Sequence, residues 1–117
     1  MDLEKLRTYC LSLPGTTEDI KWGDHLCFCV GMKLFIITSP DSFPVNASFK
    51  TDPETFAELI SMSGFKAAPY LARNHWIHIE DISRMSFEHW KQHLKKAHAL
   101  VAKGLTKKMR ADLGIEL

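Results

Sequence analysis

His25-Leu26-Cys27-Phe28-Cys29-Val30-Gly31-Met32-Lys33-Leu34-Phe35-Ile36-Ile37 is the stretch that decides the fold class. Leu26, Phe28 and Val30 alternate with His25, Cys27 and Cys29, the two-residue period of a strand with two unlike faces. Gly31-Met32 is a short connection of the hairpin kind. Leu34 to Ile37 is an aromatic and β-branched run, the composition of a well-buried strand. Beyond a loop at Ser39-Pro40-Asp41-Ser42, Val45, Ala47 and Phe49 alternate with Asn46, Ser48 and Lys50 in a third strand. Three strands in succession with short connections form an antiparallel meander.

Helical periodicity flanks this meander. Upstream, Asp2 is a helix N-cap, and Leu3, Leu6, Cys10 and Leu13 recur at helical spacing until Pro14-Gly15 stops the run. Residues 3–12 are therefore expected to be helical. Glu18, Asp19 and Asp24 cluster around Trp22 and read as an acidic loop. Downstream, Asp52-Pro53 is an N-cap followed by proline at the first helical position, with Phe56, Leu59 and Ile60 facing inward and Gly64 as the stop. Phe65 to Tyr70 suggests a short strand broken at Pro69. Trp76, Ile77 and Ile79, interleaved with His75 and His78, form another strand. Ser86 caps the longest helix, whose stripe of Phe87, Trp90, Leu94, Ala97 and Val101 ends at Gly104. Thr106 caps a last short helix. A meander with single-stripe helices is most simply a two-layer α+β sandwich, an antiparallel sheet with helices on one face. The 117 residues suit one domain, 1–117.

Composition excludes more than it selects. Net charge is +1, far from the strongly basic balance of many nucleic-acid-binding domains. The charges are unevenly placed, however. Residues 1–60 carry nine acids against five bases, whereas residues 86–110 carry seven bases against Glu88 alone. Such a basic end suits a phosphate backbone or an acidic protein, or is simply a solvated helix face. Three cysteines, Cys10, Cys27 and Cys29, read as free thiols of a reducing cytoplasm. The charged Met1-Asp2-Leu3-Glu4-Lys5 start and the absence of a long apolar run give no expectation of a signal peptide or a membrane span.

Several motifs tempt a chemical reading. His25-x-Cys27-x-Cys29 places three potential ligands on one strand face. A straight strand splays them, though, and no Cys-x-x-Cys completes a zinc tetrahedron. A Cys–His nucleophile pair lacks an orienting third group. No Walker or dinucleotide-binding glycine pattern occurs. Nothing in the sequence asks for a cofactor or identifies a catalytic residue, so the expectation is a protein that is not an enzyme. What remains is an aromatic and basic group: Lys33, Lys50, Tyr70, Arg73, Asn74, His75 and Trp76. Lysine, arginine and asparagine hold phosphates, and exposed bases stack on tryptophan or tyrosine.

The Leu13-Pro14-Gly15 turn, Trp22-Gly23-Asp24, the hairpin from Val30 to Phe35, Ser48-Phe49-Lys50, Pro69-Tyr70-Leu71, Asn74-His75-Trp76 and the late Leu105 to Leu113 segment together resemble the MmcQ/YjbR family. The resemblance spans nearly the whole chain. It implies an α-β(3)-α-β(2)-α fold, similar to that of type III secretion chaperones, and a DNA-binding role through the sheet and its hairpins. The expected nucleic-acid contacts are Lys33, Lys50, Arg73, Asn74, His75, Lys91 and Lys95, mostly to phosphates and sharing one surface. The alternative partner is another protein or a second copy of the chain, as in a chaperone-like adaptor. One departure stands out. Where the family often has Ser-Tyr in its last long helix, this chain has Ala97-His98.

Overall fold

A computed structural model describes residues 1–69, 71 and 74–116. Its elements run α1 (Leu3–Ser12), β1 (Thr16–Lys21), β2 (His25–Val30), β3 (Lys33–Ser39), β4 (Asn46–Lys50), α2 (Pro53–Ile60), β5 (Phe65–Ala67), β6 (Trp76–Ile79), a 3-10 turn (Ile82–Arg84), α3 (Phe87–Lys103) and α4 (Lys107–Asp112). The helix starts follow side-chain chemistry. Asp2, Asp52, Ser86 and Thr106 accept the backbone N–H of Lys5, Thr55, His89 and Met109 respectively, each supplying a partner for an otherwise unpaired amide.

The six strands form one sheet in the order β1-β2-β3-β4-β6-β5, antiparallel throughout. The α+β sandwich is thus as expected, with one strand more before α2. Thr16–Lys21 is that strand, not part of an acidic loop. It lies at the sheet edge, largely exposed, so its sequence carries no apolar alternation to announce it. Glu18 faces the helical side, where its carboxylate takes a bidentate pair of hydrogen bonds from Arg7 of α1.

One irregularity shapes the sheet. Phe28 pairs with Ile36 and Cys29 pairs with Leu34, leaving Phe35 without a partner in β2. This bulge resolves the apolar run of β3 into two faces. Phe35 and Ile36 are both buried in the core, while Leu34 and Ile37 turn to the other side. A bulge also bends its strand and increases local twist.

The core is one cluster between the sheet and the helices. Phe28, Val30, Phe35, Ile36, Phe49, Ile77 and Ile79 of the sheet meet Leu6 and Cys10 of α1, Leu59 of α2 and Trp90, Leu94 and Ala97 of α3. The Trp90 ring packs edge-on to Phe49 at 5.4 Å, and its Nε1–H donates to the Ile82 carbonyl at 2.8 Å. His98 is buried as well. Its Nε2 lies 2.7 Å from the Pro14 carbonyl oxygen, and its ring packs edge-on to Phe35. The Ala97-His98 pair of this chain thus serves the interior, tying α3 to the turn after α1. No helix among the described residues is long and apolar enough to cross a membrane.

Candidate binding cleft on the open face of the sheet

Strand alternation sends one set of side chains into the core and the other to the face that no helix covers. Across the middle of that open face, register aligns Cys27, Ile37, Ser48, His78 and Lys66 in one row over five strands. His25, Ser39 and Asn46 lie in the next row toward the β1–β2 turn. At the opposite end Lys50 and Trp76 are cross-strand partners. Over this floor is a cleft of about 630 Å³, lined mainly by apolar atoms of Trp22, Leu34, Ile37, Pro69, Leu71 and Trp76, with His25, Ser39, Asn46, Ser48 and His78 supplying polar groups. Its size falls within the usual range for small-molecule sites, about 300–1,000 Å³.

Both tryptophans are presented by unusual backbone. Trp22, in the turn between β1 and β2, has φ 51°, and His75, directly before Trp76, has φ 60°. A bulky residue in the left-handed region costs on the order of 1–3 kcal/mol, and such strain concentrates at functional sites. Trp22 is 65% exposed, so no burial of its ring offsets that cost. Its edge faces the His25 ring at 6.2 Å.

The polar groups form short local pairs. Ser48 Oγ and His78 Nδ1 are 2.8 Å apart. His25 Nδ1 lies 3.1 Å from Ser39 Oγ and 3.3 Å from the Thr38 carbonyl. Asp24, 3.8 Å from His25 Nε2, is too distant for a hydrogen bond. The arrangement offers hydrogen bonds to a ligand. Burial, reinforced by the nearby Lys66 charge, holds the His78 pKa below its ordinary value and keeps the ring neutral.

The cysteines of β2 are inert. Cys27 and Cys29 are buried beneath this face, and burial first, then the neighbouring Cys29 thiol, pushes Cys27 up to about 11. Among the described residues no three His, Cys, Asp or Glu side chains gather in a way that could hold a metal ion.

Of the residues expected to meet nucleic acid, the structure brings three together. Lys50 ends β4 on the open face, where its ammonium donates to the Asn74 carbonyl and burial lowers its pKa. His75 follows Asn74, stacks edge-on to Phe56 at 5.5 Å and accepts the Thr51 N–H at its carbonyl. Arg73, like Tyr70, lies outside the described residues. Lys33, Lys91 and Lys95 are elsewhere, so the shared cationic surface expected from sequence is divided between two layers. Lys33 points to the helical side, its ammonium beside Gly104 at the end of α3. Lys91 forms an ion pair with Glu88 at 3.0 Å and lies over the Phe87 ring, and Lys95 is exposed on the same helix. Lys96 is held by Asp52 at 2.8 Å.

Sequence reasoning missed the floor of the cleft. Its signal was present at the outward positions of β2, β3, β4 and β6: His25, Ser39, Asn46, Ser48 and His78 are polar, where a purely solvated face would carry mostly Lys and Glu.

A family model described as YjbR matches residues 11–100. The chain belongs to the YjbR family. This YjbR-family chain is similar to a solved Deinococcus radiodurans protein with a DUF419 domain, with TM-score 0.86 and 28% identity over 97% of this chain and 88% of that one. A Pseudomonas syringae protein shares the fold, with TM-score 0.70 and 16% identity over 86% of this chain and 99% of that one. No curated protein matches the chain.

Proposed function

We propose that this YjbR-family domain is a non-enzymatic, cytoplasmic DNA-binding protein that works with the open face of its sheet. The observation that carries this reading is the pairing of Lys50 with Trp76 on the open face, where the Lys50 ammonium also reaches the Asn74 carbonyl. Lysine and asparagine there hold phosphates, and the apolar cleft beside them takes what the phosphates carry. In the helical layer Lys91 and Lys96 are already matched by Glu88 and Asp52.

Fluorescence anisotropy with labelled duplex and single-stranded oligonucleotides of equal length tests the proposal. Affinity should fall steeply as salt rises, with a slope of roughly 0.9 per neutralised phosphate for duplex and 0.7 for single strand. Lys50→Met should reduce that slope by about one phosphate. Absence of binding at low salt, or a Lys50→Met protein indistinguishable from the parent, removes the reading.

A second reading rests on Ile20 and Trp22, which are 58% and 65% exposed at one corner of the molecule. Apolar groups so exposed suit contact with another protein, including a second copy of the chain. Light scattering decides this: a monomer at high concentration rules out the homodimer.

A further inference from the structure

We propose that the cleft between Trp22 and Trp76 is a pocket for one unstacked nucleobase, carried by a single strand or by a free nucleotide. The inference deepens the DNA-binding reading and rests on it for the class of ligand.

The shape of the site and its chemistry point the same way. A volume of about 630 Å³ leaves room for a base with its sugar. The walls are flat and apolar. The tryptophan rings offer π surfaces, and Trp22 is held in a left-handed backbone although its ring gains little burial. Stacking on an aromatic ring tolerates any base, because each has a π face.

The floor selects against other ligands. A base edge presents donors and acceptors without formal charge. His25, whose Nδ1 faces Ser39 and the Thr38 carbonyl, leaves Nε2 for a ligand. Asn46 donates one hydrogen to Ser42 Oγ and, among the described residues, has its carbonyl oxygen and second hydrogen unengaged. His78, its Nδ1 facing Ser48, turns Nε2 to other partners. A hydrocarbon chain would leave these groups unpaired on desolvation. Among the described residues, a carboxylate or sulfate would meet no cation on the floor. The cations sit at the rim instead: Lys50 is across from Trp76 and Lys66 across from His78, so a phosphate attached to a bound base has two ammonium groups on the same side. Asp24, beside His25, keeps the opposite corner acidic. The site is thus polarised, with its phosphate side toward β5 and β6.

Adenosine 5′-monophosphate, uridine 5′-monophosphate and glucose, each titrated into isotope-labelled protein, provide the test, together with a duplex oligonucleotide. The nucleotides should move the Trp22 and Trp76 indole signals and the amides of Ser48 and His78, leaving α3 unchanged. Trp22→Ala, at an exposed position, should weaken nucleotide binding at least tenfold without changing the melting temperature. Asn46→Ala should alter the preference between the two bases. Glucose producing the same shifts at the same concentration would overturn the base assignment, as would nucleotide shifts confined to the helical layer or absent at millimolar concentration. The duplex arm separates the two ideas. Salt-dependent duplex binding with no nucleotide response sinks the pocket and spares the DNA reading; nucleotide binding without any oligonucleotide binding does the reverse.

Discussion

Asp52 joins two helices, and its removal has a calculable effect. Its carboxylate accepts the Thr55 N–H at 2.7 Å as the N-cap of α2 and holds the Lys96 ammonium of α3 at 2.8 Å. The Lys96 hydrogen bond first, then the Thr55 amide, lowers its pKa from 3.8 to about 2. That difference corresponds to about 2.4 kcal/mol between its two protonation states. The Asp52 and Lys96 side chains are 29% and 44% exposed, so solvent screening reduces the stabilisation from the charge to about 1 kcal/mol. Asp52→Asn preserves a good cap and removes only the charge, and should cost about 0.5–1 kcal/mol. Asp52→Ala also loses the cap, worth about 1 kcal/mol, for a total near 2 kcal/mol and a melting temperature lower by roughly 8 °C. Because the folded pKa is depressed, the charge stabilises fully above pH 3.8 and progressively less as pH falls toward 2. Urea unfolding of the three proteins at pH 7 and near pH 2 measures this. The gap between parent and Asp52→Asn should close in acid. A gap that persists there, or an alanine variant no weaker than the asparagine variant, refutes the reasoning.

Three other outcomes follow from the same structure. Gly31→Ala places a Cβ 2.7 Å from both Leu105 methyl carbons at φ 57°, and calorimetry should show a loss of about 2 kcal/mol. Burial lowers the pKa of both His78 and His93, so the unfolded chain takes up protons more readily than the folded one as pH drops below about 6.5. Stability should therefore decline from pH 7 to pH 5, and a His78→Gln, His93→Gln double variant should decline less; equal slopes would contradict this. His98→Phe removes the part-buried hydrogen bond to the Pro14 carbonyl and should lower the unfolding free energy by about 1 kcal/mol in urea.

Residues whose role is local were readable from sequence. The caps at Asp2, Asp52, Ser86 and Thr106 act on amides three residues on, and the meander declares itself by alternation within each strand. β1 was illegible because an exposed edge strand lacks the apolar period that marks its neighbours. The bulge at Phe35 was illegible because Leu34 to Ile37 is apolar throughout, and only the partner strand decides which residues turn inward. The site followed the same division. Lys50, Asn74 and His75 are near Trp76 through one pairing of β4 with β6, whereas the cleft floor draws on four strands whose order no local pattern states. The lysines misled for a further reason: sequence counts charges, but Glu88 and Asp52 reach Lys91 and Lys96 only in the folded chain.

The two margins of the sheet differ from its interior in a way that limits how copies of this molecule can join. One margin is the polar, charged Thr16–Lys21, and the other is only three residues long, Phe65–Ala67. Neither offers the long, flat, apolar template that recruits a neighbouring chain by strand addition. Filament growth by strand addition is thereby discouraged. Copies that meet instead through the same patch on each partner close at two subunits.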